Sequence, residues 1–186
     1  KVLSYTYDAA GRIASMTDPN GQTTSYTYTD AGRLASLSAP GGKVWNFQYN
    51  SLGQRTQYTH PNGIRTEYGY DTRHRLTSII HRNTANNAVL DSFTFTLDAG
   101  GNITRVAHAD SSRWDYTYDG RDRIAGAERR DPSGQLLHSY TYTHDAANNV
   151  TQRTKYTASS ATTDTWVFAY NDANEQTGMT LNGGTA

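Results

Sequence analysis

The sequence predicts an all-β fold of tandem β-hairpin repeats joined into one long, curved antiparallel sheet. Three observations carry this expectation. Of the 14 Tyr, 3 Trp and 4 Phe, all but Tyr58 and Tyr156 fall at three positions of a single register. The residues between those positions are small or polar, a period of two that marks a strand with one apolar and one wet face. The register returns eight times along 186 residues, so the chain reads as a repeat protein before any single residue is interpreted.

The first strand of each repeat ends on an anchor: Tyr7, Tyr28, Tyr49, Tyr70, Leu97, Tyr118, His144 and Tyr170, spaced by 21, 21, 21, 27, 21, 26 and 26 residues. Two residues earlier an aromatic stands in every copy: Tyr5, Tyr26, Phe47, Tyr68, Phe95, Tyr116, Tyr142 and Phe168. Four residues earlier come Leu3, Thr24, Trp45, Thr66, Phe93, Trp114, Tyr140 and Trp166, so the tryptophans share one register position. A polar turn follows each anchor, as in Asp8-Ala9-Ala10-Gly11-Arg12. Its fourth residue is Gly11, Gly32, Gly53, Gly101, Asn148 or Asn174, types that tolerate the left-handed backbone of a tight reversal. His74 and Asp122 fill the same place in the other two copies.

The second strand opens on an aliphatic at Ile13, Leu34, Leu76, Ile103, Ile124 and Val150. Ile13 and Met16, like Leu34 and Leu37, are three apart and would face opposite ways in a regular strand; a β-bulge reconciles them. A second turn then appears as Asp18-Pro19-Asn20-Gly21, Ala39-Pro40-Gly41-Gly42, His60-Pro61-Asn62-Gly63 and Asp131-Pro132-Ser133-Gly134, where Pro presets one dihedral and Gly accepts positive φ. Length variation is expected there, with longer polar loops at Arg82–Asp91 and Tyr156–Asp164. No helix is predicted. With ~4.8 Å between strands, equivalent residues of successive hairpins would recur every ~10 Å.

Composition narrows the function classes. Leu, Ile, Val and Phe make up about 14% of the chain, below the ~20% at which disorder becomes a serious prior. The tyrosines and tryptophans supply the missing apolar area, and a formal net charge of zero does not expand the chain. That balance of 17 basic and 17 acidic residues removes the main electrostatic reason to expect nucleic acid. No run approaches the ~20 apolar residues of a membrane-spanning helix. Absence of cysteine excludes disulfides and zinc–thiolate sites. Residues 1–186 are expected to form a single repeat domain of about eight hairpins, a fragment of a longer polypeptide that opens inside a strand.

The unit Tyr5-Thr6-Tyr7-Asp8-Ala9-Ala10-Gly11-Arg12-Ile13, repeated as Tyr26-Thr27-Tyr28-Thr29-Asp30-Ala31-Gly32-Arg33-Leu34, resembles the YD repeat of the RHS family. Degraded copies include Tyr68-Gly69-Tyr70-Asp71 and Tyr116-Thr117-Tyr118-Asp119. The resemblance covers essentially the whole chain. It implies an arc of a spiral β-shell like those of bacterial RHS toxins, insecticidal toxin complexes and teneurins. It further implies a secreted or cell-surface setting, and as partners other segments of the same polypeptide and an enclosed carboxy-terminal cargo. The Asp-Pro-x-Gly letters at Asp131 and Asp18, which resemble a family cleavage sequence, fall in phase with the routine second turn.

Catalytic chemistry, a cofactor site and a metal site are not expected. Gly-x-Ser-x-Gly is missing, and His138 and His144 would lie ~20 Å apart on one strand, too far to share a metal. The six histidines are expected in turns or facing solvent. Arg12, Arg33, Arg75 and Arg123 should form a column along one turn edge, paired with Asp8, Asp71 and Asp119. The nineteen in-register aromatics are the candidate site, as an inner apolar layer or as a contact surface for cargo. A glycan is the alternative ligand, since flat sugar rings stack on Tyr and Trp. An aromatic face without a second sheet also predicts self-association of the chain alone.

Overall fold

The computed structural model describes residues 2–184, in which there are sixteen strands and no helix. The strands are β1 (Ser4–Tyr7), β2 (Ile13–Thr17), β3 (Thr23–Tyr28), β4 (Leu34–Ala39), β5 (Lys43–Tyr49), β6 (Arg55–Thr59), β7 (Ile64–Tyr70) and β8 (Leu76–Asn83). They continue as β9 (Val89–Leu97), β10 (Ile103–His108), β11 (Arg113–Tyr118), β12 (Ile124–Arg130), β13 (Leu136–His144), β14 (Val150–Thr157), β15 (Thr162–Tyr170) and β16 (Gln176–Gly184). The chain divides into two units, one ending at Ser92 and one beginning at Phe93. Strands follow one another in chain order as antiparallel neighbours, so the repeat is hairpin upon hairpin, as predicted.

The turns form for the reason the sequence suggests. In the first, the Asp8 N–H donates to the Arg12 carbonyl at 2.8 Å and the Gly11 N–H donates to the Asp8 carbonyl at 3.0 Å. This is a three-residue hairpin loop closed by a residue with left-handed backbone. All eight residues expected there have positive φ, from 58° at Asp122 to 102° at Gly101. Three of the four proline-containing turns repeat the geometry, with Gly21, Gly63 and Gly134 at 81°, 80° and 88°, whereas the fourth has Gly41 and Gly42 both positive, at 78° and 72°.

The bulge is present in every hairpin. Tyr5 faces Met16 and Thr6 faces Ser15, but Tyr7 faces Ile13, which leaves Ala14 as the extra residue. The same slip leaves Ala35, Thr56, Thr77, Thr104, Ala125, Thr151 and Thr177 unopposed in the later hairpins. It turns Ile13 and Met16 to one face, the face of the aromatics.

Between hairpins the register steps by two residues. Tyr5 lies across from Met16, and Met16 lies across from Thr24 rather than Tyr26. The aromatic rows therefore form a staircase, not the straight ladder that equal spacing suggests. A second difference concerns the longer loops. Half of the residues of Arg82–Asp91 and five of the nine in Tyr156–Asp164 extend strands instead, the latter because β-branched Thr157, Thr162 and Thr163 pair across β14 and β15.

The step leaves one end of each inter-hairpin seam without ladder bonds. The β2–β3 ladder stops at the Ser15–Ser25 pair, three residues short of Tyr28. There the Tyr28 hydroxyl donates to the Ile13 carbonyl of the preceding hairpin at 2.8 Å, at the bulge. Tyr49, Tyr70, Tyr118 and Tyr170 donate in the same way to Leu34, Arg55, Ile103 and Val150, at 2.8 to 3.0 Å. A bulge interrupts the ladder, and the anchor hydroxyl supplies a donor where the strands part.

Little of the sheet is sealed from solvent. Among the described residues Ala127 is the only buried apolar side chain, at 7% exposure. A single layer with one row of side chains on its apolar face can do no better.

The anchor hydroxyls should be measurable. Tyr49→Phe keeps the ring and removes the bond to Leu34, at a cost of about 1 kcal/mol in urea unfolding. Tyr26→Phe, whose hydroxyl has no such bond, should change stability by less than half of that. Equal losses in the two variants would show that the hydroxyl contributes nothing at the seam.

Candidate functional site

The nineteen in-register aromatics share one face, because each stands an even number of residues from its anchor on a regular strand. Tyr26 lies across from Leu37 and then Trp45; Phe95 across from Val106 and then Trp114; Tyr142 across from Arg153 and then Trp166. Tyr5 and Tyr7 are exposed at 44% and 62%, and the other seventeen are half-buried. They touch mainly sideways. Trp114 stacks on Tyr116 at 6.2 Å between ring centres and tilts against Tyr140 at 6.1 Å, and Tyr140 stacks on Tyr142 at 6.5 Å. Burial pushes the Tyr116 and Tyr142 hydroxyls above their ordinary acidity range, which keeps them neutral.

Tyr58 belongs to this face although it stands outside the register. It lies across from Phe47 and stacks on it at 4.9 Å, with the Arg55 guanidinium 5.3 Å from the Phe47 ring centre. The bulge returns the second-strand residue to the aromatic side. It does the same for His81 and His108, while His138 and the anchor His144 stand at even spacing on β13, so all four occupy the aromatic face rather than turns or the wet side. Their cross-strand partners are Thr66, Phe93, Arg129 and Val150. His108 meets Phe93 edge-on at 5.2 Å.

The arginine column is a clasp. In the first turn one Asp8 carboxylate oxygen accepts the N–H groups of Ala10 and Arg12 at 2.9 Å, and the other meets the Arg12 guanidinium at 2.7 Å. Arg75 with Asp71 and Arg123 with Asp119 repeat it at 2.7 Å. The guanidinium of Arg12 then lies 4.5 Å from the ring centre of Tyr28, the anchor of the next hairpin. Arg33, with Thr29 in place of an aspartate, stacks on Tyr49 at 5.9 Å. Arg12 and Arg33 thus join their own turns to the next repeat through a cation–π contact, whereas Arg123 reaches the next turn by donating to the Asp145 carbonyl at 2.8 Å and to Asn148 Oδ1 at 3.0 Å.

These bonds set the carboxyl acidities. The backbone N–H of Arg12 holds Asp8 below its ordinary range, and that of Arg75 does the same for Asp71. The Arg123 side chain takes Asp119 down to about 2.

On the opposite face the side chains are mostly Ser, Thr and Gln, and the charges are paired. Asp115 accepts from Arg105 and from Arg113, and Glu128 accepts from Arg130 at 2.5 Å. Asp115 and Glu128 stand across from each other beside Gly126 over a shallow depression. Burial acts to raise Asp115, but its bonds to Arg105 and Arg113 outweigh that, and the net shift is down. A carboxyl held ionised by guanidinium groups is a poor proton donor near neutral pH. No cluster among the described residues could hold a metal ion, and no described helix is long and apolar enough to cross a membrane.

The RHS Repeat family model matches residues 7–44, 28–65, 49–85 and 98–136. Among solved structures, TcdB2-TccC3-Cdc42 superposes with a TM-score of 0.76 at 22% identity, over 94% of this chain and 10% of that one. TcdB2-TccC3 without its hypervariable C-terminal region gives a TM-score of 0.76 at 22% identity, over 96% and 10%. The chain therefore spans about a tenth of the length of the structures it matches. No curated protein resembles it closely enough in sequence to count as a relative.

The turn carboxyls predict an acid limit. A carboxyl held low in the folded state contributes stability that is fully present above its unfolded value of about 3.9 and is lost as pH falls through the folded value. Thermal stability should stay flat from about pH 7 to 5 and fall between about pH 4 and 2, where Asp119 titrates at about 2. Asp119→Asn should reduce the steepness of that fall. Stability unchanged down to pH 2 would contradict the clasp.

Proposed function

The chain belongs to the RHS repeat family, and on that footing we propose that it is a non-catalytic wall segment of a β-shell enclosing a toxin or other polypeptide cargo. One observation carries the reading. The aromatic side chains keep one register and are left half-exposed, with none of the described residues covering them. An exposed apolar face of this extent marks a surface against which something apolar rests. In a shell that cover is the enclosed polypeptide together with other parts of the wall, inside a longer secreted or surface protein. The titratable groups support a passive role, since the carboxyls that shift all move toward permanent ionisation.

The competing reading is a surface module whose Tyr and Trp rings stack on glycans. A glycan array with the wild-type chain and with Trp45→Ala, Trp114→Ala and Trp166→Ala separates the two. The wall reading expects no glycan signal and a loss of about 1–3 kcal/mol of stability in each variant, from removal of a half-buried indole. Glycan binding that disappears in variants that keep their circular dichroism would replace the wall with an adhesion module.

The uncovered face has a second consequence. At micromolar concentration the chain alone should self-associate and bind an apolar dye, both suppressed by Trp45→Ser combined with Tyr26→Ser. A dye-silent monomer by light scattering would show that the face needs no cover.

A further inference from the structure

The aromatic face of the second unit carries three cations, Arg129, Arg153 and Lys155, among its rings. Arg153 lies between Tyr142 and Trp166 across the strands, its guanidinium 4.1 Å from the Trp166 ring centre. Arg129 lies between Trp114 and His138, 5.9 Å from the Trp114 ring centre, with one Nη donating to Ser112 at 2.9 Å. Lys155, two residues from Arg153 on β14, stands beside Tyr140. Two carboxylates stand near these cations: Asp164, across from Lys155, and Asp110, in the turn before β11, which interacts with Arg129.

Three polar atoms of the patch are buried and have no hydrogen-bond partner: Arg129 Nη1, Arg153 Nε and His138 Nδ1. A buried guanidinium N–H left unpaired costs more than a neutral donor in the same place, so Arg129 and Arg153 are incompletely compensated within the sheet.

We propose that this patch binds an acidic polypeptide segment, with carboxylates seated on Arg129 and Arg153 and apolar neighbours resting on Trp114 and Trp166. The chemistry selects a carboxylate. A guanidinium stacked on an indole keeps its N–H edge free, and that planar edge matches a carboxylate fork. Arg153 and Lys155 are ~6.8 Å apart along the strand, the spacing of alternate side chains in an extended peptide. A nucleic acid fits less well, because its affinity grows with the number of phosphates neutralised, and three cations against two carboxylates neutralise few. The proposal rests on the reading that this face meets a polypeptide and adds the charge that polypeptide presents.

The test is fluorescence anisotropy with the full chain and labelled extended peptides of ten residues, one alternating Glu and Leu, one Gln and Leu, one Lys and Leu, beside a single-stranded oligonucleotide. The Glu peptide should bind at least tenfold more tightly than the Gln peptide, and the Lys peptide not at all. Arg129→Gln with Arg153→Gln should abolish the preference, whereas Arg105→Gln on the opposite face leaves it intact. Should the double variant lose its circular dichroism, Arg153→Lys, which retains charge but not the fork, should weaken Glu-peptide binding severalfold. Equal binding of Glu and Gln peptides would overturn the charge assignment while leaving the wall reading in place. Stronger binding of the oligonucleotide would overturn it in favour of phosphate. Failure of every peptide together with a positive glycan array would defeat the wall reading itself.

Discussion

The structure depends on a single seam interaction, the hydroxyl of an anchor tyrosine donated to a bulge carbonyl in the hairpin before it. Each hairpin is closed by its own turn and its own ladder. Adjacent hairpins are less securely joined, because the two-residue step between them ends the ladder three residues before Tyr28. At that end the chain substitutes a side-chain bond, as when Tyr49 reaches Leu34 at 3.0 Å. At Tyr28 the Arg12 guanidinium of the earlier turn presses on the anchor ring, and Asp8 holds both the turn backbone and Arg12. Tyr, Asp, Gly and Arg are thus parts of one device: ring and donor, turn brace, left-handed corner, and cation that bridges to the next ring.

That device explains how a sheet with almost no buried core can persist. Stability in such an array is a sum of local hairpin terms and neighbour terms. No distant layer is needed for the fold, and none of the aromatics reaches full burial. Where the anchor is His144, no hydroxyl is available for the Ile124 carbonyl, and the face is indented beside Tyr142 and Val150. The repeat tolerates such gaps because each seam is held independently. What it leaves unfinished is the apolar face, and the functional reading follows from that incompleteness.

Much of this was legible in the sequence because the information is local. Alternation fixed the strands, Gly11 and its equivalents fixed the corners, and the three-residue gap between Ile13 and Met16 pointed to the bulge. Pairing between hairpins was not legible, since nothing in a single strand records a two-residue step to its neighbour. Tyr58, His81 and His108 reach the aromatic side within their own hairpins, where the bulge shifts the parity of the second strand. Arg129 and Arg153 were also missed: read along the strand they are polar residues after Ala127 and Thr151, and only the cross-strand register sets them over Trp114 and Trp166. The tyrosine hydroxyls follow the same rule, since their partners lie 15 to 20 residues away in the preceding hairpin.

The central claim is that the two faces have different fates, one washed by water and one covered by polypeptide. The chain contains no cysteine, so single cysteines report without background. Ser15→Cys and Ser36→Cys mark the polar face; Met16→Cys and Leu37→Cys mark the aromatic face, one residue further along the same strands. Labelling by a water-soluble maleimide would be followed in the intact polypeptide that carries these repeats. The account predicts rapid labelling at Ser15→Cys and Ser36→Cys, and protection of the aromatic-face pair until the polypeptide is unfolded. Equal rates on both faces in the folded protein would contradict it.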